Sequence, residues 1–132
     1  MREFAHQQTA LLLVRFGAEA GRTARAAEAD AIHDLRVSIR RLNRCLRAFS
    51  PFYAQGWKKM RRRLKVLMDA CGRVRDRDIA MDLLAGAGFQ PDSIVMLRLN
   101  LERAEARLAL RKELEHWTVR GASRQWRAEL GL

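Results

Sequence analysis

The sequence predicts an all-α protein: an antiparallel, up-and-down four-helix bundle with a short C-terminal tail helix, folded as a single domain over residues 1–132. Three observations carry this. The chain has only two prolines and long runs of Ala, Leu, Arg and Glu, all strong helix formers. Few segments alternate apolar and polar residues, as strands would. Turn signals are sparse, so long helical segments are joined by short connections, which places consecutive helices as antiparallel neighbours. Apolar content of 48% beside 31% charged residues is globular composition, and 132 residues suffice for one core.

Each element has its own signals. The first helix is expected from about Glu3 to Phe16 or slightly beyond, weakened at its end by Gly17 and Gly21. Thr23 to Ala29 reads as a connection. Asp30 suits the N-cap of a second helix that runs to Phe49 and stops at Ser50-Pro51. Gln55-Gly56 belongs to the next turn, and a long third helix follows from Trp57 to about Ala85. Gly86-Ala87-Gly88 ends it, and Pro91-Asp92-Ser93 opens a fourth helix to about Val119. Gly121 breaks the chain again before a tail helix over Ser123 to Leu130. Cys45 and Cys71 form no Cys-x-x-Cys pair and read as free buried thiols in a reducing compartment. The polar start of the chain does not resemble a signal peptide, and no apolar run reaches membrane-spanning length. A soluble cytoplasmic protein with no membrane partner is the expectation.

Charge is the feature that points to function. The formal net charge is +11, and it is concentrated. Between His33 and Lys65 stand eleven basic residues and one acidic residue, Asp34; the rest of the chain holds fifteen basic and fourteen acidic groups. Such an excess suggests an anionic partner: nucleic acid, anionic lipid or a phosphate polymer. On a helical wheel His33, Arg36, Arg40, Arg44 and Arg47 fall within roughly 80° of one another. Ile32, Leu35, Ile39, Leu42, Cys45, Leu46 and Phe49 fall on the opposite side. The column from Arg36 to Arg47 spans about 16 Å. Like charges stacked at i, i+4 repel, and no Glu relieves them. The fourth helix, by contrast, mixes both signs as a solvated face usually does.

The third helix adds Lys58, Lys59, Arg61, Arg62, Arg63 and Lys65 in its first turns, where the macrodipole normally favours carboxylates. Free backbone N–H groups beside local cations suit an anion. Arg suits phosphate through its planar two-pronged fork, Lys through a point charge. Lys58, Arg61, Arg62 and Lys65 therefore join the second-helix column as candidate site residues. Single-stranded nucleic acid usually needs aromatics interleaved with the cations for base stacking. The basic face of the second helix has none, and Phe49, Phe52, Tyr53 and Trp57 read as the residues that close the bundle. Bare phosphate is favoured; duplex nucleic acid held by its backbone is the alternative. His33 has no paired ligand at metal spacing, so no metal or other cofactor is implied. His6 and His116 have no constellation around them.

The run Ile32-His33-Asp34-Leu35-Arg36-Val37-Ser38-Ile39-Arg40-Arg41-Leu42, followed by Leu46-Arg47-Ala48-Phe49, resembles the signature of the CHAD family, the conserved histidine α-helical domain. So does Leu64-Lys65-x-Leu67 leading into Gly72-Arg73-Val74-Arg75-Asp76-Arg77-Asp78-Ile79. The close match covers about residues 30 to 85. The resemblance implies a helical domain that binds inorganic polyphosphate through a basic surface, associates with polyphosphate granules and performs no catalysis. It makes His33, Arg36, Arg40, Arg41, Arg47 and Lys65 the anion-site candidates. Two departures stand out. Asn43 occupies a position often held by Arg, with Arg44 following it. Typical members are also about twice as long, with two similar lobes, whereas here His116-x₃-Arg120-x₃-Arg124 is interrupted by Gly121. The chain thus reads as a first lobe, and a homodimer could replace the second.

Arg75 and Asp78, near the apolar stripe of the third helix, are expected to form a structural ion pair with each other or with a neighbouring helix. Asp76 and Asp78 point to different faces, which argues against a catalytic dyad. There is no Gly-x₄-Gly-Lys-Ser/Thr loop. Nor is there a Glu-x-Glu-x-Lys motif: Glu113-x-Glu115 is followed by Trp117. The expected function is binding rather than catalysis.

Overall fold

The computed structural model describes residues 1–132 and is entirely helical. Five α-helices follow in order: α1 Arg2–Arg25, α2 Ala29–Ala48, α3 Trp57–Gly86, α4 Ile94–Thr118 and α5 Ala122–Leu130, with a 3₁₀ turn at Ser50–Phe52 between α2 and α3. The main contacts of the long helices form a cycle: α1 on α2, α2 on α3, α3 on α4 and α4 back on α1. That cycle is compatible with an up-and-down bundle. The core fills its centre with Phe16, Leu35, Leu42, Leu46, Met60, Leu64, Leu67, Val74, Leu110 and Leu114, each almost wholly withdrawn from solvent.

α1 runs well past Phe16, so the two glycines do not end it. Its last turns are held by burial of Ala20 and Thr23. The Thr23 hydroxyl donates to Glu19 O at 2.8 Å and lies 3.3 Å from Ala31 O on α2. Tertiary packing here exceeds the cost of about 1 kcal/mol for a helical glycine. α2 begins one residue before the expected cap. Glu28 is its N-cap without a side-chain cap bond, and Asp30 lies inside the first turn, where its carboxylate still opposes the positive end of the dipole. Ser93 caps α4 as the Pro-Asp-Ser signal predicts, accepting from Met96 N at 3.4 Å.

The aromatics after α2 close this end of the bundle. Phe49 meets Phe4 edge-on at 6.1 Å between ring centres. Tyr53 is buried with its hydroxyl 2.7 Å from Thr9 Oγ1 and donating to Cys45 O at 3.3 Å. Burial pushes that phenol well above its usual pKa. His6 is also part of this plug: Nε2 lies 2.7 Å from Phe52 O and the ring stacks on Tyr53. Both cysteines are free and buried, and burial pushes the Cys71 thiol up to about 12.

α5 returns to the same end. Ala54 N donates to Leu130 O at 3.0 Å, and Lys59 Nζ reaches Glu129 Oε1 at 3.3 Å. Gly56, the N-cap of α3, is the pivot of this joint. Its φ of +79° is left-handed, and a Cβ there would stand 2.9 Å from Glu129 Oε2. Gly56→Ala should therefore cost about 1–2 kcal/mol. Urea unfolding of the variant checks this as a lower midpoint at an unchanged slope.

Candidate functional site

The outward face of α2 is a crest of cations above a continuous apolar floor. Leu35, Ile39, Leu42 and Leu46 are buried, while His33, Arg40, Arg44 and Arg47 on the opposite side are exposed. The predicted column is therefore on the surface. It divides two grooves, a partition that the helical wheel alone does not show.

The first groove lies between α2 and α3, with a volume of about 490 Å³. Its walls carry Arg40 and Asn43 from α2, and Lys58, Arg61, Arg62 and Lys65 from α3, over a floor of Ile39, Leu64 and Met68. Trp57 stands at one end as its aromatic wall, with Lys58 Nζ 5.5 Å from the ring centre. One carboxylate borders the groove, Asp69, and it lies 3.2 Å from Lys65 in an exposed pair. Such exposed pairs hold weakly, so Lys65 can exchange Asp69 for another anion.

Asn43 is tied into this groove. Its Oδ1 accepts from Arg61 Nε at 2.8 Å, across the two helices. The guanidinium is thereby anchored by its Nε edge, and its terminal nitrogens are left to donate. Arg44, the neighbouring position, lies on the exposed crest instead. The two residues thus have different places: one orients an arginine in the groove, the other adds charge above it.

Arg36 is half-buried against α3. Its Nε is enclosed and has no hydrogen-bond acceptor, and its charge acts to lower the Cys71 thiol pKa against the larger upward push of burial. An enclosed nitrogen without an acceptor is costly, and the rest of this half-buried guanidinium has no carboxylate partner.

The second groove lies between α1 and α2 and holds His33 and Arg41, together with Arg15, Glu19 and Asp34. Here the charges are already matched in part. Arg22 Nη1 meets Asp34 Oδ2 at 2.7 Å and Glu19 Oε2 at 3.4 Å. His33 and Arg41 thus do not share a pocket with Arg40, Arg61 and Lys65, although the crest connects the two sides. Arg15 belongs to this second groove and has no signal in the sequence, because only the packing of α1 on α2 brings it there.

Cross-helix salt bridges sort the cations at the start of α3. Lys59 pairs with Glu129 of α5, and Arg63 Nη2 lies 3.4 Å from Glu113 Oε1 of α4. Lys58, Arg61 and Arg62, like Arg36, Arg40, Arg41, Arg44 and Arg47 on α2, have no carboxylate partner. The two engaged cations face other helices; the free ones face the α2 side and solvent.

Of the two arrangements expected for Arg75 and Asp78, the pair between them is not formed, while the pair to a neighbouring helix is formed by Asp78 alone. Asp78 accepts from Arg103 Nη1 at 3.3 Å, and the adjacent Arg77 reaches Glu102 at 3.6 Å. Both bridges cross from α3 to α4, because Asp78 lies on the α4-facing side of its helix. Arg75 is exposed and joins no salt bridge. No three His, Cys, Asp or Glu side chains gather in a metal-holding group, and no helix is long and apolar enough to cross a membrane.

A family model described as the CHAD domain matches residues 7–131, nearly the whole chain. Neither the comparison with curated proteins nor that with solved structures finds a match.

Proposed function

Because the chain belongs to the CHAD domain family, whose members are generally associated with polyphosphate binding, we propose that it is a non-catalytic module that holds inorganic polyphosphate. The observation that carries this reading is the α2–α3 groove: a wall of Arg and Lys with one weakly paired carboxylate, beside the half-buried Arg36 whose Nε has no acceptor. The scaffold in this reading is the antiparallel up-and-down bundle, which presents α2 and the start of α3 on one side. Arg36, Arg40, Arg61 and Arg62 grip successive phosphates with their forks, and Lys58 and Lys65 neutralise charge along the chain. Arg44 and Arg47 continue the track on the crest. His33 and Arg41 extend it toward α1. The reading also places the protein in the cytoplasm, with polyphosphate granules as its site of association.

One observation favours the second reading, in which the same cations grip a nucleic-acid backbone: Trp57 offers a single aromatic face at the end of the groove. A lone ring is a poor platform for successive bases, so polyphosphate remains the preferred ligand.

Titration of long-chain polyphosphate by calorimetry at stepped KCl concentrations tests the proposal. The five groove cations and the adjoining Arg36 should together give a log K against log salt slope of roughly −4, taking about −0.7 per contact for a flexible polyanion. Absence of binding at low salt would overturn the reading. The same incubations with Mg²⁺ should release no orthophosphate; sustained release by pure protein would make the module an enzyme.

A further inference from the structure

α4 is apolar on two opposite faces, and this chain covers only one of them. Met96, Ala106, Leu110 and Leu114 face inward and are buried. On the outer side stand Ile94, Leu97, Leu101 and Leu108, which are 87, 51, 69 and 57% exposed. With the exposed Ala104 they follow a strict 3-4-3-4 spacing, the a and d positions of a heptad seam. A surface helix normally keeps such a stripe for its core side, with polar residues outward. Here the seam is an addition to a face that already packs on α1 and α3.

The charges flanking the seam select the occupant. Between Pro91 and Leu110 three acidic and three basic residues balance, in a chain whose net charge is +11. This is therefore a surface on which a second copy can approach without the repulsion that α2 would impose. In the cycle of helix contacts, α4 packs on α1 and α3 while α2 stands across the bundle from it. Two copies joined along α4 would keep their basic crests apart.

Arg98 and Glu105 hold successive e positions of the heptad, are exposed, and join no salt bridge within the chain. In an antiparallel pair, e positions meet e positions. Packing Leu101 against the partner's Ala104, and Leu97 against the partner's Leu108, sets Arg98 opposite the partner's Glu105, twice by symmetry. A parallel pair would instead bring Arg107 beside the partner's Lys112, a like-charge contact. We propose that the outer face of α4 is an antiparallel, two-fold homodimer seam. This inference does not depend on what the α2–α3 groove binds.

Sedimentation velocity and light scattering of the full chain over the micromolar range test it. The parent chain should be a dimer. Leu101→Glu should be a monomer with unchanged far-UV circular dichroism, because Leu101 contributes nothing to the core. R98E and E105R should each weaken the dimer roughly tenfold, and the R98E/E105R double variant should restore it. A monomeric parent, a dimer indifferent to Leu101→Glu, or a double variant as weak as the single ones would each overturn the proposal. Polyphosphate affinity per chain is read separately and decides the groove, so the two readings fail independently.

Discussion

Replacing Arg36, Arg40 and Arg61 together by alanine should lower the affinity for long-chain polyphosphate by about two orders of magnitude, with helicity intact. Each removes one charge-assisted contact from a partly solvated groove. Discounted for screening, such contacts contribute about 1 kcal/mol apiece, and three of them approach the ~2.8 kcal/mol that corresponds to a hundredfold change. The helix itself should not suffer. Alanine is the best helix former, and two of the substitutions relieve i, i+4 repulsion along α2. The matched control is Lys59→Ala with Arg63→Ala. These cations belong to the same helix start but already face Glu129 and Glu113, so binding should change only a few-fold. Calorimetric titration at fixed salt, with circular dichroism of each variant, checks both arms. Losses in proportion to the three and two charges removed would mean that bulk charge, rather than the groove, governs affinity.

The second large effect concerns stability. Leu42 is fully buried directly beneath the basic crest of α2. Leu42→Ala should destabilise the fold by about 3 kcal/mol, the middle of the range for leucine truncation in a packed core. In a thermal scan this lowers the midpoint by roughly 10 °C for a domain of this size. Below the new midpoint, polyphosphate affinity should match the parent, because the site residues lie on the opposite side of the same helix. Saturating polyphosphate should in turn raise the midpoint of the parent chain, since a ligand held only by the folded state stabilises it. If Leu42→Ala loses affinity while still folded, the crest is sensitive to core packing, and the division between floor and site is wrong.

Much of this arrangement was legible in the residues. Proline and glycine punctuation located the starts of α3 and α4 and the break at Gly121, because positive φ and a fixed proline φ are local demands. The stripe of Leu35, Ile39, Leu42 and Leu46 set the orientation of α2 and therefore exposed its cations. What was not legible depended on neighbours. α1 passes Gly17 and Gly21 because Ala20 and Thr23 are buried, and no local signal reports that. A pair from Asp78 to a neighbouring helix was one of the two arrangements expected, but neither its partner, Arg103 on α4, nor the exposure of Arg75 is contained in the i, i+3 spacing. The separation of His33 and Arg41 from Arg40 and Arg61 into two grooves likewise follows from where α1 and α3 pack against α2. Asn43, a departure from the family pattern, found its place only through Arg61. The outer seam of α4 was present in the spacing of Ile94, Leu97, Leu101, Ala104 and Leu108, but two apolar faces on one helix blur the single-stripe pattern by which core residues are read.

In the proposed function the basic groove reads bare phosphate. A competition experiment tests it most directly: the chain bound to labelled long-chain polyphosphate, challenged with duplex DNA or duplex RNA at matched total charge and ionic strength. Neither duplex should displace polyphosphate at equal phosphate concentration, whereas unlabelled polyphosphate should. Displacement by duplex as readily as by polyphosphate would contradict that function.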